Sequence, residues 1–158
     1  MKKALFIIII LFSVQSVKSQ EFGVAVDAGY SFKFLNKSVH QLYLGGIAAF
    51  SKGNRGYSSY DNQFLLGGGV YYGKYNDKTE WIPAVVLGYG GGIGPLYKIA
   101  VTPYNVTPSF NLNFFNIAQL GIGYSFGYKR KNDFNMNGIC LSFNIALGTS
   151  GYYVNMSN

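Results

Sequence analysis

Apolar and small residues alternate along most of the chain, most cleanly over Ile117–Leu147. In the first half of that stretch the even positions are apolar: Ala118, Leu120, Ile122, Tyr124, Phe126 and Tyr128. Gln119, Gly121, Gly123, Ser125 and Gly127 separate them. Past the polar turn Lys129–Asn137 the parity swaps, with Ile139, Leu141, Phe143, Ile145 and Leu147 set against Cys140, Ser142, Asn144 and Ala146. Period-two alternation predicts two-faced β-strands, because successive side chains leave opposite faces of a sheet. Runs of ten or so residues exceed the usual strand of about five or six.

The same pattern starts at Phe22, with Val24, Val26, Ala28, Tyr30, Phe32 and Phe34 on one face and Gly23, Ala25, Asp27, Gly29, Ser31 and Lys33 on the other. After the turn Asn36–Ser38 a second strand is predicted over His40–Ser51, with Leu42, Leu44, Ala48 and Phe50 in phase. The loop Lys52–Asn62 precedes a third strand, Gln63–Tyr75, whose outer set is Phe64, Leu66, Val70 and Tyr72. The turn Asn76–Glu80 leads to a fourth, Trp81–Ile93, with Trp81, Val85, Leu87, Tyr89 and Ile93 facing one way and Gly88, Gly90 and Gly92 the other. Pro95, Pro103 and Pro108 interrupt the next segment, since proline cannot donate to a ladder. It reads as two shorter strands, Tyr97–Tyr104 and Val106–Phe115, or as one bent strand. Tyr152–Val154 in the tail is a candidate extension of the last strand. The count is eight, or seven with the bent strand; the even strand number of bacterial membrane barrels favours eight. An eight-stranded reading sends the two long loops, Lys52–Asn62 and Lys129–Asn137, to opposite ends, whereas outer-membrane barrels usually keep their long loops outside.

Two architectures suit such strands. A soluble barrel turns its apolar face inward and needs a charged exterior. A membrane barrel turns the apolar face to lipid, where a mid-strand Lys or Arg costs about 2–4 kcal/mol. No alternating apolar face here carries a mid-strand charge; His40 and Lys74 are in phase but stand at strand ends. The other face is mostly Gly, Ala, Ser, Asn and Gln, with Asp27 and Lys33 its only mid-strand charges. Phe22, Phe32, Phe34, Trp81, Phe126 and Tyr128 lie near strand ends, as interfacial girdles do. The expectation is an all-β fold, an antiparallel up-and-down transmembrane β-barrel of about eight strands. A soluble secreted β-barrel is the architectural alternative.

The N-terminus agrees with export. Lys2 and Lys3 precede the apolar run Ala4–Phe12, and Val17 and Ser19 suit a cleavage site, so residues 1–19 read as a signal peptide and 20–158 as the barrel domain. Nine apolar residues fall short of the roughly 20 a spanning helix needs. The formal charge of +7 then overstates the barrel's own, because loss of Lys2, Lys3 and Lys18 leaves 10 basic and 6 acidic residues, a net +4. Charges this sparse make no nucleic-acid patch. Cys140 is the single cysteine, so no intrachain disulfide is available. With 21 glycines and 27 tyrosines and phenylalanines against 12% charged residues, the chain is too apolar for disorder and short of charge for a water-soluble surface.

With signal peptide, alternating strands and girdles, the chain from Gln20 onward resembles the small eight-stranded outer-membrane barrels of the OmpA/OmpX type. The resemblance implies a porin-like cell-envelope protein of the bacterial outer membrane. Asn158 departs from the terminal aromatic common in that group.

Candidate chemistry is sparse. Gly68–Lys74 matches G-x-x-x-x-G-K, but Tyr75 replaces the magnesium-binding Ser or Thr and no helix pattern follows. Gly90–Gly94 does not satisfy G-x-G-x-x-G; inward glycines instead let a narrow barrel curve and let tyrosines pack across it. His40, with Ser38 nearby, is the one position for a lipid-modifying enzyme, though no acid neighbours it. One His and one Cys are too few for a metal. No catalytic, cofactor-binding or metal residue is assigned, and no cofactor. Asp27 and Lys33 stand about 20 Å apart along one strand, too far to pair. Asn36, Asn105 and Asn155 head glycosylation sequons. The expected function is a structural or surface-interaction barrel, monomeric, with a filled, non-conducting lumen. Lys52, Arg55, Lys129, Arg130 and Lys131 are placed to meet outer-membrane lipid and lipopolysaccharide head groups. A narrow pore is the alternative.

Overall fold

The computed structural model describes residues 21–34, 38–51, 62–130 and 135–148, apart from the side chains of Glu21 and Phe22. The signal peptide, the loop 52–61, the tail with Tyr152–Val154 and Asn158, and the sequons at Asn36 and Asn155 lie outside the described residues, as do Lys131 and the Phe22 ring. The strands are β1 (Glu21–Phe34), β2 (Val39–Ser51), β3 (Asn62–Tyr75), β4 (Lys78–Gly91), β5 (Gly94–Val101), β6 (Asn105–Phe114), β7 (Ala118–Gly127) and β8 (Gly138–Gly148). Each pairs antiparallel with the next, and β8 closes on β1 from Ala25↔Gly148 to Phe34↔Ile139, making a closed eight-stranded barrel. The chain therefore alternates ends, and the β2–β3 and β7–β8 connections fall at opposite ones.

The proline segment is two strands with the turn at Pro103. Thr102 Oγ1 accepts the amides of Tyr104 (3.2 Å) and Asn105 (3.1 Å) and so holds that turn. Pro108 costs only a local break: the β6–β7 ladder skips from Val106↔Phe126 to Ser109↔Gly123 and resumes in the same register. Pro83 lies where β4 overhangs β5, beyond Val85↔Val101. β4 and β5 each begin three residues earlier than the sequence pattern suggests, at Lys78 and Gly94. The cause is turn chemistry. Asn76 and Asp77 both take the left-handed conformation (φ 45° and 66°), making a two-residue turn that starts β4 at once. Gly94 (φ 93°) does the same for β5.

The outer and inner faces follow the predicted parity. Among the described residues thirty large hydrophobic side chains are exposed and only 14 hydrophobic residues are buried, the reverse of a water-soluble domain. Phe50, Phe64, Tyr89, Tyr97 and Phe110 are successive partners across β2 to β6, an unbroken aromatic row around more than half the barrel. Toward the other end Tyr72 and Trp81 stack at 4.6 Å, and Phe34, Phe126 and Tyr128 stand exposed. The exposed charges among the described residues, Lys74, Asp77, Lys78, Lys129 and Arg130, cluster at that same end.

Candidate functional site

The barrel interior is where buried polar chemistry collects, and it is built in layers. At the end where β1 begins and β8 finishes, Ala25, Ile47, Ala49, Leu65, Leu96 and Ala146 form an apolar cluster. Beside it Gln63 and Asn116 exchange amide hydrogen bonds of 2.6 and 3.0 Å. Asn113 Nδ2 adds bonds to Asn116 Oδ1 (2.6 Å) and to the Gly91 carbonyl (3.0 Å). Asn116 reaches this position because it sits in the β6–β7 turn with φ 61°, a conformation that asparagine tolerates well. At the opposite end Val39, Tyr75, Ile82 and Met136 pack together with Tyr71 and Tyr104. Apolar side chains thus gather inside the barrel toward both of its ends. The inner face, expected to be mostly Gly, Ala, Ser, Asn and Gln, also carries Ile47, Leu65, Leu96, Val39 and Ile82, because the interior of so narrow a barrel is filled by side chains packed on one another.

The polar layer lies between these clusters. Asp27 (2% exposed) accepts a 3.1 Å hydrogen bond from Asn144 Nδ2. Lys98 (8% exposed) donates to Gln119 Oε1 at 2.9 Å and acts electrostatically on Asp27 across the lumen. Lys33 (3% exposed) holds its Nζ 5.8 Å from the Tyr71 ring centre. Tyr43 and Tyr71 stack at 5.0 Å, and a Cβ added to Gly45 or Gly69 would collide with the Tyr43 phenol. Those two glycines, on β2 and the neighbouring β3, leave room for the Tyr43 phenol to lie along the barrel wall. A cavity of about 40 Å³ remains, lined by Lys33, Lys98, Tyr43, Tyr71, Asn111 and Asn144 among others.

Asp27 and Lys33 are both internal, as the alternation predicts. The reading that they bring the only charge to the lumen is corrected by Lys98. Its signal was present in Tyr97, Ile99 and Val101, which set an outward parity around Lys98, but the flanking prolines hid it. The cation facing Asp27, which local sequence left unnamed, is this lysine, 71 positions away. The predicted inward set Gln41, Gln63, Asn111, Asn113 and Gln119 is buried, as are Tyr43 and Tyr75.

Other candidates fall elsewhere. His40 is on the outer face, where Nδ1 meets the Tyr30 hydroxyl and the ring lies 4.7 Å from Phe32. Ser38 is exposed just before β2, and among the described residues no hydrogen bond or ion pair joins an acid to either side chain. Gly68–Lys74 is wholly within β3, with no helix after it to aim amides at a phosphate. Asn105 is 1% exposed, its amide bonded to Thr107 and Ser125, so this sequon faces the lumen rather than any solvent. Cys140 is buried beside Lys33 in register. Among the described residues no three His, Cys, Asp or Glu side chains gather to hold a metal. Comparison with family models, with characterised proteins and with solved structures finds no match for this chain.

Proposed function

We propose that this chain is a bacterial outer-membrane β-barrel protein with a structural or surface-interaction role and a filled, non-conducting lumen. The observation that carries the reading is the inverted distribution of hydrophobic residues: a closed barrel whose outer face is a continuous apolar belt and whose fully exposed or buried charges, among the described residues, lie in the lumen or toward one rim. Water-soluble monomers rarely expose contiguous apolar patches beyond a few hundred Å², and this belt runs over all eight strands. Lipid is the solvent that stabilises such a face, and closure leaves no unpaired strand edge inside it. A soluble secreted barrel accounts for the closure but not for the belt.

The rim is the chemically varied part. Lys74, Lys78, Lys129 and Arg130 surround one mouth, with Lys74 bonded to Asp77 at 2.9 Å. Such a ring suits anionic head groups, each cation near a charged membrane surface contributing about 1 kcal/mol. In this reading the basic mouth faces lipopolysaccharide, both ends of the chain face the periplasm, and the barrel is a monomer because it has no open edge to share. The apolar clusters toward both ends and the Tyr43–Tyr71 stack weigh against a pore, and the outward, acid-free setting of His40 weighs against a lipid-modifying enzyme. Cell fractionation tests the proposal: the protein should sediment with outer membrane and resist carbonate extraction. Recovery in the soluble periplasmic fraction would refute it.

A further inference from the structure

We propose that the lumen cavity between Lys33 and Lys98 is a binding site for one small monovalent anion of the halide class. The argument starts from charge. The polar layer holds two ammonium groups and one carboxylate, all at least nine-tenths buried. Asp27 matches Lys98 electrostatically, and its carboxylate is held by Asn144. Lys33 has no such counterpart. Among the described residues no carboxylate comes within 4 Å of it; its neighbours are the face of Tyr71, with Nζ 5.8 Å from the ring centre, and the Cys140 thiol, its register partner on β8. A surplus buried cation costs several kcal/mol unless an opposite charge accompanies it.

The cavity is where that charge fits. Both lysines line it and Asp27 does not, so its walls are positive. Tyr43 and Tyr71 also line it. A phenol O–H rotates to suit its partner and can donate to an anion. A volume of about 40 Å³ is about three to four times what one water needs, room for a small anion with accompanying water. Apolar clusters lie toward either end of the lumen from it. None of this depends on what solvent meets the outer face, so the site stands or falls separately from the membrane reading.

The test uses the full chain, folded in detergent, with bromide as the probe. Crystals grown in sodium bromide should give an anomalous peak inside the cavity, and crystals of the Lys33→Met variant should lack it. In solution, wild type should melt several degrees higher in sodium bromide than in sodium gluconate at equal ionic strength. That difference should vanish in Lys33→Met and widen in Asp27→Asn, which raises the surplus charge. Should Lys33→Met not fold, the Asp27→Asn comparison and the wild-type crystal decide. A cavity filled by water alone, peaks confined to the rim, or equal anion dependence in wild type and both variants would overturn the site.

Discussion

Ile122 is the position at which the lipid-facing assignment can be measured most directly. It lies at the centre of β7, is 55% exposed, and pairs with Phe110 on one side and Leu141 on the other, both exposed themselves. Arginine there has no acid within the outer face to meet. If the belt lies in lipid, Ile122→Arg should destabilise the folded barrel by about 2–4 kcal/mol, the cost of a guanidinium near the bilayer midplane. Ile139 provides the control. It is similarly exposed (49%) but opens β8 beside the β7–β8 connection, where the same substitution costs about 0–1 kcal/mol. In water the two variants would be indistinguishable, since exposed substitutions stay within about 0.5 kcal/mol. The assay is urea titration of folding into phosphatidylcholine vesicles, followed by fluorescence of Trp81, the single tryptophan, which is 63% exposed on the outer face. Equal stabilities for Ile122→Arg and Ile139→Arg would refute the depth argument and with it the lipid-facing belt.

Closure itself predicts heat modifiability: unboiled protein in SDS should migrate apart from boiled protein, because a barrel without edges gives detergent no strand to peel, and identical migration would count against closure. Asn116→Ala should cost about 3–5 kcal/mol, from three lost amide bonds and an alanine forced into the left-handed region. Asn116→Gly should cost less because it keeps the turn, and the same urea titration separates the two; a glycine variant no better than alanine would remove the turn from the account. Reconstituted in planar bilayers, the protein should give no steady conductance, and reproducible single-channel steps would mean that the clusters at Leu65–Leu96 and Tyr75–Met136 are open.

What could be read from the chain alone was everything that depends on one strand at a time. Parity along β1, β3, β7 and β8 assigns each residue to a face without reference to any neighbour, and those faces match. The even strand count resolved the proline segment for the same reason, since Thr102–Tyr104 is a local turn. The strand starts at Lys78 and Gly94 were missed because Asn76, Asp77 and Gly94 turn more tightly than their polar surroundings suggest. Met136 was beyond any periodicity, because it belongs to a connection and not a strand. It packs over Gly127, where a Cβ would meet it at 2.9 Å.

The contents of the lumen are a different kind of quantity, set by register around a closed ring. Each register is a sum of turn lengths and overhangs, so an error of one residue in β5 moves every partner downstream. Lys98 illustrates the consequence. Taken locally it is one lysine in a proline-flanked strand; in the barrel it lies across from β1 and supplies the charge that Asp27 faces. That leaves Lys33, about 20 Å along β1 from Asp27, without a carboxylate partner among the described residues, a conclusion available only once the register has been closed around the barrel. The outer face, by contrast, tolerates a register slip of two residues, because any apolar side chain suits lipid as well as its neighbour does. The fold was therefore legible from the face that is chemically uniform, and the candidate site stayed hidden on the face where each position has one particular partner.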